Sequence, residues 1–269
     1  MKKQVWIFGL MFALISCEEV IDVELDNADP QIVAEGSIAN GEFAEVLLSY
    51  SSAYFTNESS ATIDGAQISL FDLESGTQEV LASRGDGLYQ GEVILGQENH
   101  QYRLEIEFEN QVYVATATMY PAVQIEKVEL NEFAGGGPFG GSGESGFVAI
   151  TDFVSAGDDV YYQFEYEISD ATIPAGYFLS LAADSGSTIR YANPQIVVPK
   201  GDTLQLSIKS IDEGTFNYLT GLNDLIGTGF GGGGGASSAP SNPPSNFEAN
   251  ILGYFGAFSI SQLDTIAPN

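Results

Sequence analysis

The chain of 269 residues holds one cysteine, one histidine and one tryptophan, and eight Lys plus Arg stand against 37 Asp plus Glu. One cysteine excludes an internal disulfide and any site built from several thiolates. One histidine, His100, excludes multi-histidine metal centres and leaves imidazole chemistry to a single side chain. The formal net charge of -29 repels phosphate backbones, which excludes nucleic acid as a partner and favours neutral or cationic ligands. No apolar run reaches the roughly 20 residues that a membrane-spanning helix needs. Hydrophobic residues are plentiful at 44% and charged ones make up 17%, a balance that allows a core and argues against general disorder. The length suits two ordinary domains or one large all-β domain.

The one long apolar run lies at the start. Lys2 and Lys3 precede Val5–Ile15, which has the length of a secretory h-region. It ends in Leu14-Ile15-Ser16-Cys17, so the only cysteine closes the run. This resembles the lipobox of bacterial lipoproteins, whose cysteine is diacylated after cleavage just before it; Cys17 is the expected lipidation site. Two or three acyl chains, at about 0.8 kcal/mol per buried methylene, anchor durably where one does not. The alternatives are an ordinary secretory signal or an uncleaved anchor. Glu18, Glu19, Asp22, Glu24 and Asp26 follow directly. Acidic residues in this place resemble the signal that sends Bacteroidota lipoproteins to the outer face of the outer membrane. A solvated tether extended by like-charge repulsion is the simpler reading.

Beyond residue 30 the pattern is β. Gln31–Ile38, Glu45–Ser51, Ala66–Asp72, Leu88–Ile94, Tyr102–Phe108 and Val112–Met119 are short runs of strand-forming residues separated by Asn40-Gly41, Asp64-Gly65, Ser75-Gly76, Asp86-Gly87 and Glu109-Asn110. Arg103, Glu105, Glu107 and Glu109 alternate with Tyr102, Leu104, Ile106 and Phe108, the period of a half-buried strand. Even spacing of such strands predicts a β-sandwich. Gly87-Leu88-Tyr89 followed by Tyr102-Arg103-Leu104 resembles prealbumin-like modules. Further strands are expected at Val123–Leu130, Phe147–Val154, Val160–Ile168, Tyr177–Ala182 and Leu204–Ile211, with one helix over Glu213–Ile226 capped by Asp212. Ile251–Ser261 reads as a closing strand that must pair with something earlier. The expected fold is all-β: a prealbumin- or immunoglobulin-like sandwich over 31–122, then a second antiparallel β domain over 123–263 carrying one short helix. A signal peptide over 1–16, a tether over 17–30 and a tail over 264–269 complete the division.

Candidate chemistry thins out on inspection. The glycine tracts around 135–143 and 229–235 contain no Lys or Arg and open no helix, so they do not cradle phosphate. His100 has no Gly-x-Ser-x-Gly elbow to serve and reads as a turn or edge residue. Asp152, Asp158, Asp159, Glu165 and Glu167 offer carboxylates, but nothing singles out a glycosidase pair. An irregular calcium site at Asp152 with Asp158 and Asp159, or at Asp202, competes with plain surface charge. Tyr161, Tyr162, Tyr54 and Phe55 are candidates for a ligand or partner surface. No cofactor is implied.

The chain also resembles a family. Cys17 through Val23, Ile32-Val33-Ala34-Glu35-Gly36, Asp64 through Ile68, Gly87-Leu88-Tyr89, Ala115-Thr116-Ala117 before Pro121, Asp159-Val160-Tyr161-Tyr162, and the close from Pro240 through Gly253-Tyr254-Phe255-Gly256-Ala257 resemble, in order, the domain-of-unknown-function family 4249 of Bacteroidota lipoproteins. The resemblance implies an outer-membrane lipoprotein, facing outward with the periplasmic face as alternative, and a non-enzymatic accessory role beside a TonB-dependent β-barrel receptor. A stand-alone glycan- or peptide-binding module is the second expectation and an acidic hydrolase the third. Asp202-Thr203-Leu204 and Asp264-Thr265-Ile266 resemble Bacteroidota O-glycosylation sites, which makes Thr203 and Thr265 the candidate acceptors.

Overall fold

A computed structural model of the chain describes residues 29–52, 60–133, 145–169, 171–172, 177–179, 183–194, 196–225, 242–249 and 251–269. The first half forms β1 Ile32–Ala39, β2 Phe43–Tyr50, β3 Gln67–Asp72, β4 Gln78–Val80, β5 Ala82–Gly85, β6 Leu88–Leu95, β7 Gln101–Phe108 and β8 Gln111–Thr118. The second half forms β9 Gln124–Phe133, β10 Gly146–Val154, β11 Tyr161–Ile168, β12 Ala171–Thr172, β13 Tyr177–Leu179, β14 Thr188–Ala192, β15 Thr203–Ile211, helix α1 Glu213–Leu225 and β16 Leu252–Ile266. The fold is all-β with one helix. Short β4, β5, β12 and β14 carry no sequence signal of their own; their neighbours' backbone groups define them.

Among the described residues, one sheet spans both halves. Its order is β12-β11-β15-β16-β1-β2-β6-β5, with β13 also on β11. A four-stranded sheet, β4-β3-β7-β8, and a three-stranded sheet, β14-β10-β9, complete the set. Alternation along the strands decides the layers. Ala34, Ile38, Val46, Leu48 and Tyr89 of the large sheet bury against Ile68, Leu70, Tyr102, Leu104 and Ile106 of the four-stranded one. Tyr162, Phe164, Leu204, Leu206 and Ile208 bury against Phe147, Ala149, Phe153 and Ile189 of the three-stranded one. Each fully buried side chain of this size contributes about 1.5–3 kcal/mol. Arg103, Glu105 and Glu107 lie on the opposite face of β7, as the period requires.

The closing strand unites the halves. It pairs parallel with β1 and antiparallel with β15, and runs on to Ile266, beyond the expected end at Ser261. Phe255 and Ala257 enter the first core, and Ala267 just past the strand enters the second. Between them, with the same parity, Ser259 and Ser261 donate hydrogen bonds to the carbonyls of Tyr120 and Val123 in the connection from β8 to β9. Gly253 permits the parallel pairing: its φ is +94°, and a Cβ there would lie 2.1 Å from the Ala34 carbonyl oxygen. Asn246 fastens the strand from outside, its amide donating to the Phe255 and Thr116 carbonyls and accepting from the Phe255 N–H.

Candidate functional site

Both cores lie on one face of the large sheet, and the helix lies on the other. Asp212 follows β15 directly and caps α1, accepting from the Thr215 N–H at 2.7 Å, so the chain turns back over the outer face. There Phe216 stacks on Tyr161 at 4.7 Å between ring centres, and Tyr218 stacks on Tyr254 at 5.1 Å. Leu219 is half-buried, whereas Leu222 is 38% exposed.

Between helix and sheet runs a groove of about 320 Å³, lined by Glu35 and Ser37 of β1, Gln163 of β11, Lys209 of β15, Tyr254 and Phe258 of β16, and Tyr218 of the helix, among others. Its floor is polar as well as aromatic. The Lys209 ammonium stands 2.8 Å from Glu165 Oε1 and 4.9 Å from the centre of the Phe258 ring. Gln163, itself buried, donates to the same Glu165 oxygen at 3.3 Å. The Tyr254 hydroxyl donates to Asp212 Oδ1 at 3.3 Å; burial first, then the Asp212 charge, pushes its pKa far up, so it stays a neutral donor. Burial and then the Glu35 charge raise Tyr218 as well. This combination can hold a small molecule by an aromatic face and by donors and acceptors together.

Among the described residues no Lys or Arg is left uncommitted around the groove. The six basic residues described, Arg84, Arg103, Lys127, Arg190, Lys200 and Lys209, each pair with a carboxylate. Lys209 is the least exposed of them, at 19%.

The residues singled out from the sequence scatter. Tyr161 lies under the helix in its stack with Phe216. Tyr162 points the other way and is fully buried in the second core; its oxygen accepts from the Ala156 N–H at 2.9 Å and lies 3.1 Å from Ser155 Oγ. The expectation of a surface role for Tyr162 is therefore corrected: neighbours on a strand face opposite sides, and this one faces the core. Tyr54, Phe55 and Cys17 lie outside the described residues. Thr203 and Thr265 sit on the adjacent strands β15 and β16, beside a hollow of about 400 Å³ lined also by Glu167, Gln205 and Asp264. Asp152 is engaged by Arg190 at 2.9 Å, and Asp158 accepts from the Ser185 N–H.

Among the described residues, one group of three metal-capable side chains comes together, Asp72, Glu74 and His100. Asp72 is 3% exposed and saturated: it accepts from Ser75 Oγ at 2.7 Å, from the Glu74 and Ser75 N–H groups, and pairs with His100 Nδ1 at 2.9 Å. That geometry locks the β3–β4 turn to the start of β7, the turn role expected of His100. The groove residues Glu35, Lys209, Tyr218, Tyr254 and Phe258 were not singled out from the sequence. The alternation of Tyr254, Gly256 and Phe258 on the closing strand was the available signal.

A family model described as a domain of unknown function, DUF4249, matches residues 18–264. No curated protein matches the chain.

Proposed function

Because the chain belongs to the DUF4249 family, we propose that it is a Bacteroidota outer-membrane lipoprotein, held by acylated Cys17 and facing the cell exterior, that serves as a non-enzymatic accessory to a TonB-dependent transporter in nutrient capture. The observation that carries this reading is the placement of the one cysteine. It closes the apolar run, five acidic residues follow by position 26, and the family match opens at residue 18, directly behind it. A protein tethered this way works beside other components of the same membrane face, and its acidity suits neutral or cationic cargo. Mild-detergent extraction of the tagged, full-length protein from its native membrane, with mass spectrometry of what accompanies it, tests the role. A stoichiometric β-barrel receptor is expected; a solitary lipoprotein would count against an accessory.

The groove favours a second reading, a surface module that binds a glycan or peptide itself. It offers aromatic faces and paired donors and acceptors in a volume suited to a small ligand.

A further inference from the structure

The groove contains its own template for a ligand. At one end the Lys209 ammonium is held between a carboxylate, Glu165, and an aromatic face, Phe258. At the other end the same two kinds of group stand together with no ammonium supplied. Glu35 and Tyr254 are register partners in the parallel β1–β16 pair, hence neighbours on the sheet's outer face. Tyr218 stacks on Tyr254 from the helix, close enough to Glu35 for the carboxylate's charge to act on its phenol. Glu35 is exposed, and among the described residues its carboxylate has neither an ion pair nor a hydrogen bond. Among the described residues no Lys or Arg is left to pair with it, since all six already pair with other carboxylates.

From this we infer that the end of the groove formed by Glu35, Tyr218 and Tyr254 binds an organic ammonium, as the side-chain amine of a lysine-bearing peptide or as a free alkylamine. The inference rests on the binding-module reading and gives it a ligand class. An anionic ligand would meet Glu35 and Glu165 with the one cation, Lys209, already neutralised. A wholly apolar ligand would take water from the Glu35 carboxylate and supply no partner in its place. An ammonium on a short alkyl stem satisfies the carboxylate with its head and lays its stem against Tyr218, the half-buried ring of the stacked pair.

The test uses the full-length protein in detergent and ligand-observed NMR titrations with four probes: N-acetyl-lysine amide, 1,5-diaminopentane, N-acetyl-norleucine amide and maltose. At least one amine is expected to bind, with affinity falling about tenfold in Glu35→Gln and declining with added salt. Glu45→Gln, an exposed acid on β2 outside the groove, should leave binding unchanged. Tighter binding of the lysine amide identifies a peptide side chain as the source, and tighter binding of the diamine a free amine. Absence of amine binding up to about 10 mM, equal binding of the norleucine amide, or indifference to Glu35→Gln overturns the inference. Binding of maltose or the norleucine amide that is lost in Tyr218→Leu would overturn the ammonium while leaving the binding module standing; silence of all four probes would overturn both.

Discussion

Replacing Glu79 by alanine should remove the support of a whole irregular stretch of the large sheet. Phe43 pairs with Leu95 while Glu45 pairs with Gln90, so residues 91–94 of β6 bulge out opposite the single residue Ala44. The amides of Glu92, Val93 and Ile94 then have no partner in the β2 ladder. Glu79, 8% exposed on β4, reaches across and accepts from the N–H groups of Glu92 at 2.8 Å, Val93 at 3.0 Å and Ile94 at 2.9 Å. Hydrogen bonds to a charged group contribute about 1.5–3 kcal/mol each, and dehydrating the carboxylate offsets part of the sum. Truncation should therefore cost about 3–5 kcal/mol, because three donors, the Ile94 amide buried and the Glu92 and Val93 amides partly so, lose their acceptor at once. At about 2–4 °C per kcal/mol for a chain of this size, the Tm should fall by roughly 6–20 °C. Glu79→Gln keeps the shape and one acceptor oxygen, enough for the Glu92 and Val93 amides, and should lose about 1–3 kcal/mol. Thermal unfolding followed by circular dichroism ranks wild type, Gln and Ala. An Ala variant within about 2 °C of wild type, or a Gln variant less stable than Ala, would refute the reasoning.

Gly253→Ala should cost at least about 3 kcal/mol or prevent folding, since a Cβ at φ +94° would press into the Ala34 carbonyl; urea unfolding measures it, and near-wild-type stability would sink the parallel β1–β16 pairing. Tyr162→Phe deletes the hydroxyl shared with Ala156 and Ser155 and should destabilise by about 1 kcal/mol in the same assay. Burial raises the pKa of Asp72, but the bonds from Ser75, His100 and the Ser75 and Glu74 amides outweigh it and hold the carboxyl below its ordinary value. The stability this supplies is complete above the unfolded-state value of about 3.9 and is lost as pH falls through the lower folded-state value. Asp72→Asn should thus be less stable than wild type at neutral pH and show a flatter loss between about pH 4 and pH 2, read from urea midpoints.

How much of this was legible in the sequence depends on whether the signal was local. The alternation of β7, the Asn-Gly and Asp-Gly turns and the Asp212 cap are written within a few residues of where they act, and the structure follows them. The closing strand could be expected to pair, but its two partners, one starting at Ile32 and the other at Thr203, could not be named from its own residues. Tyr162 shows the limit of composition: a pair of tyrosines reads as a surface until the pleat sends one to each side. Glu79 and Glu35 are two glutamates among many, one buried against three amides and the other beside stacked tyrosines. Only the assembled sheet separates them, because register, not residue type, sets what each meets.

The placement of Cys17 carries the functional account, and the most direct test is the intact mass of the full-length protein extracted from its native membrane. The account predicts a polypeptide that begins at Cys17 and carries the mass of a diacylglyceryl group, with or without a further acyl chain; added sugar mass would mark Thr203 or Thr265. A chain retaining residues 1–16, or one cleaved elsewhere with an unmodified Cys17, would contradict it.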